Sequence, residues 1–423
     1  MLGQYVQALS GMLGPCLLAM GLGVLLTVGE GRDRPIGARW RTWGFTVGLA
    51  AACAFAALRF TALIDRRSTV NLPTLVACVV FDAALVAVVL CAGRLTRDWH
   101  ARRTALAVAD GVSAVAVALS VFYAAPDVIL QLADFVEPGD SPFTSDMLLR
   151  ALGFLLGVGT AVAVAAVFRT MRTPAVRHSF TLAVLLLVLL TFVRHLTELF
   201  SLLMNMLILE LEGAAFRTLI LFHNNTLALV VAQACVFLIP AVASVVAGMR
   251  MSMADENPTR ARAHIAFRRR RLASAFWSLV CVCVVGVSLV WGTAELNKAP
   301  VLSEPEAYAL KDGVATITFA QVSDGHLHRF EYTAEDGTVM RFIIIKKNGG
   351  AYGIGLDACE TCGDAGYYEK DGKIICKRCD VAINLATIGF KGGCNPIPFP
   401  YKAGGGAITI QTADLDALSA NFK

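Results

Sequence analysis

Residues 268–300, RRRRLASAFWSLVCVCVVGVSLVWGTAELNKAP, hold the boundary between two kinds of chain. Four arginines precede residues 272–292, which carry no charge. About 20 apolar residues cross a bilayer as a helix, because only a helix satisfies its own backbone hydrogen bonds in hydrocarbon. Then Glu295, Lys298 and Pro300 appear within a few positions. No lysine precedes Lys298, and all ten lie from there to Lys423. A boundary therefore falls near Gly292 to Pro300, predicting a helical membrane domain over 1–295 and a different domain over 300–423.

On the N-terminal side the chain is built from Ala, Val and Leu, with arginine as its strong cation. Over 423 residues 56% are apolar and 16% charged, with a mean hydropathy of +0.63. Soluble domains carry about a quarter charged residues. Spans are predicted at about 9–29, 43–64, 72–93, 104–124, 148–168, 180–204, 215–249 and 272–292. The first lacks a basic stretch before it and is followed by more spans, so it reads as a membrane helix and not a cleaved signal peptide.

Loops alternate in charge. Arg32, Arg34, Arg39 and Arg41 lie in loop 30–42, and Arg94, Arg97, Arg102 and Arg103 in loop 94–103. Arg169, Arg172 and Arg177 lie in loop 169–179, and Arg268–Arg271 end loop 250–271. Loops 125–147 and 205–214 have no cation; the first carries Asp127, Asp134, Glu137, Asp140 and Asp146. Only Arg66 and Arg67 break the alternation. Positive-inside reasoning puts both termini of a multi-pass membrane protein outside the cytoplasm. The net charge of +5 is thus a topology signal and not a nucleic-acid-binding face; the partner it implies is membrane lipid. Segment 125–147 reads either as an outer-surface amphipathic helix or as a polar loop.

Ionisable residues inside spans are costly and concentrate at bundle interiors. Arg59, Asp82, Asp110, Arg194, His195, Glu198, Arg217 and His223 qualify. His195 and Glu198 share a helix face, and a continuous helix over 215–249 would bring His223 to the depth of His195. That trio reads as a metal or b-type haem site, or as a polar patch joining helices with Arg194 neutralising Glu198. Cys16, Cys53, Cys78, Cys91, Cys235, Cys281 and Cys283 read as small core residues.

Beyond the boundary the hydrophobic period changes. Short β-rich runs at 314–321, 326–333, 339–347 and 351–357 are punctuated by Asp324-Gly325, Asp336-Gly337 and Asn348-Gly349-Gly350, predicting a small antiparallel domain. It leads into Cys359-Glu360-Thr361-Cys362-Gly363 and Cys376-Lys377-Arg378-Cys379. Two C-x-x-C knuckles let four thiolates converge on one metal. The segment between them, Tyr367-Tyr368 to Ile374-Ile375 around Asp371-Gly372, predicts the hairpin that joins them. Zinc, a single iron and an iron–sulfur cluster all suit such a set, and spacing does not separate them. Two disulfides are the competing reading in an oxidising compartment. Cys394 reads as a further ligand, a free thiol or a small buried residue. His326 and His328 read as surface residues, with a ligand role as the alternative.

The stretch from Asp324-Gly325-His326-Leu327-His328-Arg329-Phe330, through Leu356-Asp357-Ala358-Cys359, to Ile388-Gly389-Phe390-Lys391-Gly392-Gly393-Cys394-Asn395-Pro396-Ile397-Pro398 resembles the DUF2318 family of bacterial membrane proteins. The likeness covers about 300–402. It implies an iron or iron–sulfur centre on Cys359, Cys362, Cys376, Cys379 and Cys394. It also implies an accessory or redox role in iron uptake beside an iron permease and a periplasmic iron-binding protein. Two other functions compete, a metal transporter working through the bundle and a structural zinc module that binds a partner. No Walker loop, Rossmann fingerprint or nucleophile–base set points to hydrolase or nucleotide chemistry.

Overall fold

The computed structural model describes residues 1–28, 37–64, 66–135, 144–172, 176–251, 257–298, 300–347, 350–370 and 372–423. Arg32, Arg34, Glu137, Asp140, Asn348, Gly349 and Asp371 lie outside the described residues, as do the side chains of Asp134 and Asp146. The chain divides into two compact units, Met1–Asn297 and Lys298–Lys423.

The first unit is helical: α1 (Leu2–Leu25), α2 (Gly37–Phe60), α3 (Ser68–Arg97), α4 (Arg103–Leu130), α5 (Ser145–Arg169), α6 (Arg177–Asn205), α7 (Gly213–Asn224), α8 (Thr226–Cys235), α9 (Leu238–Met249) and α10 (Pro258–Gly286). Helix α10 continues through a π-turn at Val287–Trp291 into α11 (Gly292–Leu296). Among the described residues eight helical segments are long and apolar enough to cross a membrane. Helix α1 is central. Its Leu9, Leu13, Leu17, Leu18 and Leu22 are fully buried, as befits a helix apolar on all sides.

The expected single helix over 215–249 is broken twice. Pro240 has no N–H for the carbonyl of Val236, which instead accepts from Ile239 in a tighter turn at 3.2 Å, and the helix restarts as α9. At the other break the Asn225 side chain donates to the Leu221 carbonyl at 2.7 Å, ending α7. His223 therefore sits in the short helix α7, ahead of the break at Asn225, and not in one continuous helix over 215–249.

Two glycine pairs, unmarked in the sequence reading, set the closest helix contacts. A Cβ on Gly44 would lie 2.3 Å from the Ala114 carbonyl oxygen, and one on Gly48 2.5 Å from that of Ala118. Gly153 and Gly157 of α5 press in the same way on the backbone of Met1, which precedes α1, and of Tyr5 within it. Small residues four apart let backbones touch, and close packing holds helices together in lipid. Gly44→Val is expected to separate α2 from α4 at a cost of about 1–3 kcal/mol, seen as a lower melting temperature in detergent; an unchanged melting temperature would contradict the contact.

The second unit is β-rich. Strands β1 (Ala309–Lys311), β2 (Val314–Thr318), β10 (Ala407–Gln411) and β9 (Lys402–Gly404) form one sheet in that order. Strands β3 (His328–Thr333), β4 (Val339–Lys346) and β5 (Tyr352–Leu356) form a second, and β6 (Tyr367–Lys370), β7 (Lys373–Cys376) and β8 (Ala382–Ile383) a third. All pairings are antiparallel. The first predicted run does not hairpin with the second: β2 pairs with β10, about 90 residues later, with Ile317 opposite Ile408.

Strand β4 serves two cores. Met340, Phe342 and Ile344 face the larger one with Phe330, Ile354 and Ile410. Ile343 and Ile345 point the other way, into a smaller core with Cys359, Cys362, Cys376, Tyr367 and Ile374. This is the period-two alternation of a strand buried on both faces.

Candidate metal centre

The first knuckle follows β5. Cys359 and Gly363 exchange both backbone hydrogen bonds, Cys359 N–H to Gly363 O at 3.0 Å and Gly363 N–H to Cys359 O at 2.9 Å. Closing this tight loop needs the left-handed φ of +67° that Gly363 adopts. The Cys362 N–H donates to Cys359 Sγ at 3.1 Å, the kind of bond that steadies thiolate charge. The second knuckle follows the β6–β7 hairpin, where Tyr367 pairs with Cys376. That register brings the second pair back beside the first.

Cys394 arrives by a different route. The loop carrying it lies on β5 because Gly353 and Gly355 offer no side chain there. A Cβ on Gly353 would sit 2.8 Å from Ile388 Cγ2, and one on Gly355 2.8 Å from Pro396 Cβ. Lys347 Nζ donates to the Ile388 carbonyl at 2.6 Å, and Thr361 Oγ1 to the Gly393 carbonyl at 3.2 Å.

Five sulfurs meet as a result. Cys359, Cys362 and Cys376 form one group within 4.8 Å of one another, and Cys362, Cys379 and Cys394 form another. The sulfurs of the two knuckles and of Cys394 form two overlapping triads with Cys362 in both. All five cysteines are free thiols, with Cys379 Sγ and Cys394 Sγ 3.7 Å apart. The first triad is buried, whereas Cys379 is exposed and Cys394 half-buried. The set is deep on one side and open on the other.

Burial pushes the Cys362 thiol up, reinforced by hydrogen bonds with Cys379 and Cys376. The Val381 N–H holds Cys379 down. A cation bound among buried thiols supplies the charge that compensates their loss of protons. An all-sulfur donor set within one ion's reach fits soft or borderline metals such as iron in sulfur ligation and zinc.

A buried ionic network frames the site. Asp357, fully buried, accepts from Arg329 Nε at 2.8 Å, Arg341 Nε at 3.2 Å and the Tyr367 N–H at 2.8 Å. Arg329 also donates to the carbonyl and hydroxyl of Ser303, both at 2.7 Å, and to the Tyr367 carbonyl. Tyr367 in turn donates its hydroxyl to the Cys394 carbonyl at 2.6 Å. Arg378 donates to the Cys362 carbonyl at 3.1 Å. Asp357 thus couples strand β3 to the knuckles, a role invisible in the cysteine spacing.

His326 and His328 stand apart from the sulfurs. His326 is exposed and bonds Glu369 at 2.9 Å. His328 departs from the surface reading: it is 7% exposed, with Nδ1 on Glu306 at 2.7 Å and Nε2 on Asp324 at 2.8 Å. Burial lowers its pKa, but the bonds to Asp324 and Glu306 outweigh that, and the net shift is upward. A raised value means stabilisation that is full below the unfolded value of about 6.5 and lost as pH rises through the folded one. The melting temperature of the second unit should therefore fall across that window, and His328→Gln should flatten the fall. A pH profile identical in the variant would refute this.

In the helical unit the trio His195, Glu198 and His223 is not assembled. His195 Nδ1 meets Asp82 Oδ2 at 2.6 Å, and His223 Nδ1 meets Ser201 Oγ at 3.2 Å. Ser201 lies six residues beyond His195, about 9 Å along the axis. Among the described residues no group of three or more candidate ligands contains any of the three. Arg41 pairs with Asp110 at 3.1 Å. Arg59 and Arg67 both reach Asp127, the first at 3.0 Å.

No curated protein and no solved structure matches the chain. Residues 322–422, which include all five clustered cysteines, match the family model described as membrane iron-sulfur containing protein FtrD-like.

Proposed function

We propose that this chain is a membrane-held iron protein in which Cys359, Cys362, Cys376, Cys379 and Cys394 ligate iron or an iron–sulfur cluster. It serves as an accessory or redox component of bacterial iron uptake. The observation that carries the reading is the convergence of five thiols from three separate loops; the family likeness over 322–422 favours iron over zinc. The centre lies on the extracytoplasmic side of the inner membrane, as the arginine-rich loops favour. The partners are an iron permease and a periplasmic iron-binding protein. When bound, iron supplies one-electron chemistry. The protein's own residues hold it: the buried triad anchors, Asp357 and Tyr367 fix the loops, and the open Cys379–Cys394 side meets a partner.

Metal analysis and EPR on anaerobically prepared full-length protein test this. Iron with a cluster or mononuclear ferric signal is expected. Colourless protein with stoichiometric zinc would replace it by the structural zinc reading, which the packing of three cysteines into a core supports. Metal uptake by proteoliposomes holding this chain alone would instead favour a transporter.

A further inference from the structure

The Asp82–His195 pair lies at the middle of the helical unit. Asp82 is 1% and His195 4% exposed. Asp82 is 14 residues from the start of α3 at Ser68, about 21 Å along the helix. His195 uses Nδ1 on Asp82. With Nδ1–H donating to a carboxylate, Nε2 presents a lone pair.

The surroundings are graded. The Tyr123 ring of α4 meets the imidazole edge-on, with centroids 5.7 Å apart and planes at 89°. Glu198 and Arg194 lie on the helix of His195 itself and interact electrostatically with Tyr123. One turn beyond Tyr123 on α4 is Asp127, whose side chain is 40% exposed and paired with Arg59 and Arg67. From α3, Cys78 lies beside Asp82. From α8 and α1 the neighbours at this level are Gln233, bonded to Thr191 at 3.1 Å, and Gly14, neither titratable. Ionisable groups thus run from the buried pair to one end of the bundle, the end that also holds Met1, Gly153 and Leu296.

From this ladder we infer that the bundle contains a proton-binding site, the Asp82–His195 pair, reached from the Asp127 end through Tyr123 and Glu198. With a neutral imidazole the pair carries one net negative charge inside hydrocarbon, which is expensive to keep. A proton from water at the Asp127 end, delivered to Nε2, makes a neutral imidazolium–carboxylate pair. On release the proton returns to Glu198 or water by the same route. No electron moves. Chains of Asp, Glu and His in membrane helices are where proton relays are built. The site is independent of the sulfur centre and of its metal.

The test uses the full-length chain in lipid nanodiscs with infrared difference spectroscopy between about pH 4 and about pH 9. One imidazole–carboxylate signal per chain should titrate, and Asp82→Asn should abolish it. Tyr123→Phe and Glu198→Gln, which leave the pair intact, should keep the signal but slow its hydrogen–deuterium exchange by about tenfold or more. If Asp82→Asn fails to fold, ¹⁵N-histidine spectra of the unsubstituted chain supply the same titration. An imidazole that does not titrate in the folded chain, or exchange unaffected by both conservative variants, would reduce the pair to a static link between α3 and α6.

Discussion

Cys362→Ser should strip the metal from this protein, whereas Cys394→Ser should leave part of it. Cys362 belongs to both sulfur triads, so its loss removes a ligand from each. Cys394 belongs to one, and its removal leaves Cys359, Cys362 and Cys376 together in the buried core. Losing a group behind a ligand commonly costs 10–100-fold in metal affinity, so losing a ligand shared by both triads should cost more than about 100-fold. Metal per chain after exhaustive dialysis measures it. Equal retention by the two variants would mean that the shared position of Cys362 has no bearing on binding.

Asp357→Asn should be the most damaging substitution outside the cysteines. It removes the charge that compensates Arg329, which is 1% exposed, and weakens the hold on Arg341 and Tyr367. Breaking one partner of a buried pair costs about 3–5 kcal/mol, because the other charge stays buried without compensation. Asparagine keeps a single acceptor oxygen, so either the Tyr367 N–H or the Arg329 and Arg341 Nε–H groups face an amide NH2, which loosens the strut from Tyr367 to Cys394. Chemical denaturation of the second unit should show the loss, and metal content should fall even though no sulfur has changed. Arg341→Gln, on a side chain 25% exposed, should cost much less, since Arg329 still answers Asp357. Equal effects of the two substitutions would show that burial of Arg329 is not what makes the network costly to break.

Much of this architecture was legible in residue order, for particular reasons. Membrane spans declare themselves because hydrocarbon demands about 20 apolar residues in a row. The knuckles declare themselves because two sulfurs three positions apart, twice over, have few other uses. The β4 run reads as a strand because its residues suit burial on both faces. Less legible was anything that depends on a distant partner. The pairing of β2 with β10 crosses most of the unit, and a local pattern of alternation does not name its neighbour. His328 looked like a surface residue until Glu306, from a separate segment, closed on it opposite its near neighbour Asp324.

By itself the sequence determined that this chain has eight candidate membrane helices, a β-rich second unit and two cysteine knuckles, since period, length and spacing are local quantities. Only the tertiary structure decided that the clustered sulfurs form two triads sharing Cys362, that Cys394 reaches them along the bare backbone of Gly353 and Gly355, and that His195 bonds Asp82 while His223 bonds Ser201. Those are matters of proximity between remote segments, fixed by packing, by helix breaks at Asn225 and Pro240, and by charges that must find partners once buried.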